Sequence, residues 1–145
     1  FDPINANLIK DEILRLRDEG ATVIFSTHRM ESVEELCDHI ALLNKSNKIL
    51  DGNLMDVKRQ YKTNTFEIGI NPKELSLEQE LQQKFSVTPA SFKTLGNDLK
   101  LNIKLTEKET ANDLLNYLTT KGQVSHFVEV IPSANDIFIQ TVKNN

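Results

Sequence analysis

The chain has 145 residues, 39% of them hydrophobic and 26% charged, with a formal net charge of -4. That length suits one ordinary domain or two small ones, and the mildly acidic balance argues against a nucleic-acid partner, since phosphate binding calls for a basic surface. Cys37 is the only cysteine, which excludes an internal disulfide, and no apolar run approaches the roughly 20 residues needed to cross a bilayer. With no secretory signal in view, a cytoplasmic setting is expected, and any membrane role should be peripheral.

The chain opens at Phe1, with Asp2-Pro3 leading straight into a helix, so a truncated piece is expected. Residues 4–19 have helical spacing, with Ile9, Ile13 and Leu16 on one side and Gly20 at the end. Ala21 to Phe25 is a short continuous apolar run, which predicts a strand buried on both faces. Ser26-Thr27-His28 closes it, and residues 30–38 return to helical spacing through Met30, Val33 and Cys37. Ile40 to Leu43 and Lys48 to Leu50 predict a hairpin around the turn residues Asn44 to Asn47. Asp51-Gly52 is a further turn, after which Asn53 can cap a helix through Tyr61.

The second half has a different rhythm. Phe66, Ile68 and Ile70 alternate before Pro72 and predict a strand. Ser76 with Gln79 has the form of a capping box before a helix carrying Leu77, Leu81 and Phe85. Residues 87–95 read as a strand that Pro89 confines to an edge or a bulge, and Gly96-Asn97-Asp98 as a turn. Leu99, Leu101, Ile103 and Leu105 alternate strictly. Thr106 with Glu109 suggests a second capping box, for a helix through Leu118 that Gly122 ends. Val124 to Ile131 predicts a strand, and Ser133 with Asp136 opens a last helix to about Val142. The order β-α-β-β-α-β is the ferredoxin-like arrangement. Charge divides along the same line: residues 1–52 hold 6 Lys/Arg against 10 Asp/Glu, and residues 53–145 hold 11 against 11.

The first half carries a recognisable series. Phe1-Asp2-Pro3, a helix, and Val23-Ile24-Phe25-Ser26-Thr27-His28 resemble the end of an ABC-transporter ATPase domain, with Phe1 where Leu is usual. Met30 to Ile40 resembles the helix and strand that follow, although Arg is common where His39 stands, and Lys48-Ile49-Leu50-Asp51-Gly52 matches the closing hairpin. The second half is similar to the small C-terminal domain of ABC ATPases of the sodium- and multidrug-export type. Ile131-Pro132-Ser133-Ala134-Asn135-Asp136-Ile137-Phe138 carries its closing motif, with departures at Ala134 and Asn135.

The resemblance implies a C-terminal remnant of a P-loop NTPase α/β core over residues 1–52, a linker helix over 53–64, and a ferredoxin-like accessory domain over 65–145. It implies that His28 is the switch histidine, and that Asp2 and Thr27 lie at the nucleotide and dimer interface, all three acting only in the intact protein. Asp2 before Pro3 is also ordinary helix-start chemistry. ATP and Mg²⁺ would serve the intact parent, with membrane permease subunits and a second ATPase copy as partners at the inner face of the membrane. The chain itself contains no Gly-x-x-x-x-Gly-Lys-Ser/Thr phosphate loop and no signature motif, so the piece alone is expected to be inactive and without cofactor.

Other residues read as structural. Cys37 lies on an apolar helix side, and Glu34, Glu35 and Asp38 form an acidic solvated face. His39 and His126 have no ligand at metal-binding spacing. The C-terminal domain is expected to be an interaction or regulatory module, with one sheet face left open, and the apolar strand Val23 to Phe25 to promote self-association. The alternative is a free-standing ligand-binding regulatory domain of the same β-α-β-β-α-β plan.

Overall fold

The computed structural model describes residues 3–144, so Phe1, Asp2 and Asn145, and with them the site expected at Asp2, lie outside it. Contacts divide the chain into two compact units. One contains the residues up to Tyr61 and those from Pro132 onward; the other is Lys62–Ile131. The sequence places its boundaries after residues 52 and 64 instead. The final helix, distant in sequence, belongs with the first unit.

In the first unit α1 spans Pro3–Asp18 and α2 Met30–Leu36. The hairpin strands β1 (His39–Asn44) and β2 (Asn47–Asn53) pair antiparallel, with a bulge between Leu42 and Leu43. Lys45 and Ser46 turn the chain with φ of 50° and 66°, as a two-residue hairpin loop requires. Helix α3 (Leu54–Tyr61) begins where Asn53 Oδ1 accepts the Asp56 amide at 3.1 Å, the cap its sequence predicts. The core of this unit gathers Val33, Leu54 and Ala134, with Met30, Cys37 and Ile40 packed against them.

The predicted strand from Ala21 to Phe25 does not form. The segment has no ladder partner, and Ile24 is 91% exposed. Its β-branched apolar residues favour an extended chain, but a strand also needs an adjacent edge to pair with, and none of the described residues supplies one.

The second unit runs β3 (Thr65–Pro72), α4 (Leu77–Lys84), β4 (Ser86–Pro89), β5 (Leu99–Lys104), α5 (Ala111–Lys121) and β6 (Gly122–Glu129). The four strands form one antiparallel sheet in the order β4-β5-β3-β6. Ile68, Ile70, Leu101 and Ile103 face Leu77 and Leu81 of α4 and Leu114 and Leu118 of α5 in a single core. Alternation therefore turns Glu67, Gly69, Lys100 and Asn102 to the opposite face.

Two local readings change. The predicted strand 87–95 shrinks to the edge strand β4, and residues 90–98 leave the ladder after Pro89. The capping boxes also shift. Ser76 makes no side-chain cap. Thr106 and Glu109 bond each other in a turn ahead of α5, and Thr110 with Asp113 forms the box. The last helix, α6 (Ala134–Lys143), starts with the predicted Ser133–Asp136 box.

Candidate functional site

His28 stands exposed in the turn that delivers the chain into α2. The preceding Thr27 is half-buried, and its Oγ1 accepts the Arg29 amide at 2.9 Å, which holds the turn closed. These neighbours line different hollows. Thr27 borders a groove of about 530 Å³ along α1 and α2 with Phe25, Lys10 and Glu35, the last two paired at 3.0 Å. His28 borders a smaller hollow of about 350 Å³ with Met30, Glu31, Glu34, Ser133 and Asn135.

The second hollow is organised by Glu34. From the middle of α2 its carboxylate accepts hydrogen bonds from the Lys58 ammonium of α3 and from the Ala134 amide at the start of α6. Burial pushes this carboxyl upward, but the Lys58 hydrogen bond and the Ala134 amide outweigh it and hold it below the ordinary range. Ser133 Oγ accepts the Asp136 amide and Asp136 Oδ2 accepts the Ser133 amide, both at 3.0 Å. Glu34 and Ser133 thus satisfy the Ala134 and Asp136 amides in the first turn of α6, which a helix leaves without internal partners, and Asp136 satisfies the N-cap amide of Ser133.

This role of Glu34 contradicts the reading of it as part of a solvated acidic face. Its partners lie 24 and 100 residues away, so no local pattern signals it. Cys37 behaves as expected: it packs beside the Val33–Leu54–Ala134 core, and burial followed by the Asp38 charge pushes its thiol up, away from reactivity.

Chemically, the His28 hollow is a poor seat for phosphate. Two carboxylates, Glu31 and Glu34, share its wall, and a phosphate group would meet repulsion there. No group of three or more His, Cys, Asp or Glu able to hold a metal occurs among the described residues. No described helix is long and apolar enough to cross a membrane.

In the second unit His126 is not isolated, as its place in the sequence suggests. Its Nε2 lies 2.8 Å from Glu67 Oε1, and its ring stacks on Phe92. On the helical side, Tyr117 donates to Glu80 at 2.7 Å while Lys84 sits 4.1 Å from its ring centre, an arrangement that ties α4 to α5.

Comparison with known proteins adds identity to this geometry. The family described as "ATP-binding protein DrrA1-3-like, C-terminal domain" matches residues 52–142. An uncharacterized ABC transporter ATP-binding protein of Alkalihalophilus pseudofirmus is 30% identical over 142 residues, covering 98% of this chain and 50% of its own length. The uncharacterized ABC transporter ATP-binding protein YhaQ of Bacillus subtilis is 30% identical over 145 residues, covering 98% and 45%. A fluoroquinolones export ATP-binding protein of Mycobacterium tuberculosis is 39% identical over 55 residues, 38% of this chain and 16% of its own. The chain spans about half the length of the first two of these relatives.

Proposed function

The chain belongs to the family of C-terminal domains of DrrA1-3-like ATP-binding proteins, and from that membership we propose that it is the C-terminal part of an ABC-transporter subunit whose intact form couples ATP hydrolysis to export. The observation that carries this reading is alignment over 98% of the chain, not only its second half, with an ABC transporter ATP-binding protein. Alignment of that extent favours the transporter reading over a free-standing ligand-binding domain.

Within it, His28 is the switch histidine of the intact subunit, with Thr27 beside it and Asp2 at the contact with a second ATPase copy. The exposed position of His28, at a turn entering a helix, supports that role. ATP and Mg²⁺ are held by the intact subunit rather than by these residues, since the hollow beside His28 carries the carboxylates of Glu31 and Glu34. The β-α-β-β-α-β order of Lys62–Ile131, with strand order β4-β5-β3-β6, supports a ferredoxin-like accessory domain acting as an interaction or regulatory module. Permease subunits are its partners at the inner face of the membrane.

Two measurements test the proposal. Calorimetric titration of this chain with Mg-ATP should show no binding, and a micromolar affinity would overturn the assignment of nucleotide binding to the rest of the subunit. In the intact subunit, His28→Ala should abolish ATP turnover while nucleotide still binds; unchanged turnover removes the switch role.

A further inference from the structure

The motif from Pro132 to Asp136 sits where the chain re-enters the first unit, which it leaves after Tyr61. Lys58 lies on α3 shortly before the exit, and Ala134 is the first residue of α6 shortly after the return. One side chain holds both segments. The Glu34 carboxylate accepts from the Lys58 ammonium and from the Ala134 amide, and all three residues belong to the first unit. Both partners of the ion pair are largely sheltered, so solvent screens it only in part.

The same three elements also meet through their core. Val33, beside Glu34 on α2, is buried with Leu54, the first residue of α3, and with Ala134. At its other end α2 carries the turn of His28. Thr27 Oγ1 accepts the Arg29 amide at 2.9 Å, and the Arg29 carbonyl accepts the Ser32 amide at 3.1 Å. These two bonds tie the turn into the first turn of the helix. His28 and Glu34 border one hollow, together with Ser133 and Asn135. Helix α2 has only seven residues, and a hydrogen-bonded helix of that length moves as one piece, so the place of Glu34 fixes the place of the turn.

We propose that Glu34 is a positioning residue for His28: it clamps α2 to α3 and α6, the two helices through which the chain leaves and re-enters the first unit, and so fixes where the switch histidine stands. The inference rests on the reading of His28 as the switch histidine of an ATPase subunit. It gives the closing motif a task beyond starting a helix, because the Ser133–Asp136 box leaves the Ala134 amide to Glu34 alone. Phosphoryl transfer depends mainly on positioning and electrostatics. A loosened α2 therefore lowers the rate of turnover while leaving the hold on nucleotide unchanged, since Glu34 is spent on Lys58 and Ala134.

The test uses the intact subunit and measures turnover and Mg-ATP affinity side by side. Glu34→Ala should lower kcat about tenfold, within the roughly hundredfold that a misplacement of about 1 Å can cost. Its Kd for Mg-ATP should change by less than about twofold, because the lost interaction is not made with bound nucleotide. Glu34→Gln should lose less, about threefold, since a neutral acceptor holds an amide about half as strongly as a charged one. Lys58→Met, which frees one arm of the clamp, should fall in the same range, and these two milder variants decide the matter where Glu34→Ala yields too little folded protein. Glu34→Ala combined with Lys58→Met should lose no more than Glu34→Ala alone, because both remove one clamp. Thr110→Ala, which removes a helix cap in the other unit, serves as the control for stability and should keep full kcat. A loss as large in Thr110→Ala, or a loss carried by Kd with kcat unchanged, would overturn the proposal. So would full turnover in the Glu34 and Lys58 variants where His28→Ala is inactive, and that result leaves the switch reading standing. Full turnover in His28→Ala removes the switch reading and the positioning role with it.

Discussion

Removing the Glu34 carboxylate should release the start of α6, and its size can be worked from the contacts. Ala134 is the first residue of the helix, so its amide has no carbonyl acceptor within α6. Ser133 and Asp136 satisfy one another's amides and leave Ala134 to Glu34. A hydrogen bond to a charged acceptor contributes about 1.5–3 kcal/mol. The Glu34 side chain is 30% exposed and Lys58 15%, so solvent screens the pair only partly and a value of about 2 kcal/mol is reasonable. At about 1.4 kcal/mol per factor of ten, Glu34→Ala should speed exchange of the Ala134 amide roughly 25-fold. Glu34→Gln keeps an acceptor but loses the charge, and should speed it roughly fivefold. Hydrogen exchange read residue by residue supplies the assay, with the buried Leu81 amide as an internal reference. If Ala134 exchanges at the wild-type rate in Glu34→Ala, the carboxylate does not cap α6.

Acidity probes the same contact. The Glu34 carboxyl is held below its ordinary range by Lys58 and Ala134 against the opposing effect of burial. Its contribution is therefore complete above the unfolded value, roughly 4.3, and is lost as pH falls through the lower folded value. Protection at Ala134 should weaken on acidification in the wild type, and that carboxylate titration should vanish in Glu34→Gln.

Two further expectations concern backbone detail and are read by urea denaturation. Thr110→Ala removes a capping-box hydroxyl that accepts the Asp113 amide at 3.1 Å and should cost about 1 kcal/mol, whereas Ser76→Ala, at a position with no side-chain cap, should change stability by less than about 0.5 kcal/mol. Gly122→Ala should cost about 2–3 kcal/mol, because its Cβ would fall 2.3 Å from the Asn71 carbonyl oxygen and 2.9 Å from Pro72 Cα, backbone atoms fixed by the β3–β6 ladder.

How much of the molecule can be read from its sequence depends on where each contact finds its partner. Leu99 to Lys104 is legible because strict alternation specifies both the strand and its buried face. The Ser133–Asp136 box is legible because both partners lie within four residues. Glu34 with Ala134, and His126 with Glu67 and Phe92, join residues 34 to 100 positions apart, and no spacing rule reaches that far. The run from Ala21 to Phe25 fails differently. Its composition reports apolar, β-branched character, and the structure keeps that character, but composition says nothing of the edge such a strand needs.

The outcome at that run is open to measurement. Val23 and Phe25 are 38% and 37% exposed beside Ile24, and no described strand pairs with their backbone. Apolar side chains next to unpaired amides and carbonyls form a template for a second chain. The average mass of this chain by light scattering should therefore rise with concentration, and Ile24→Lys should return it toward the monomer by placing a charge at the most exposed position of the run. Both chains remaining monomeric at high concentration would mean that apolar exposure at Val23 to Phe25 is too small to outweigh the entropy of ordering two chains against each other.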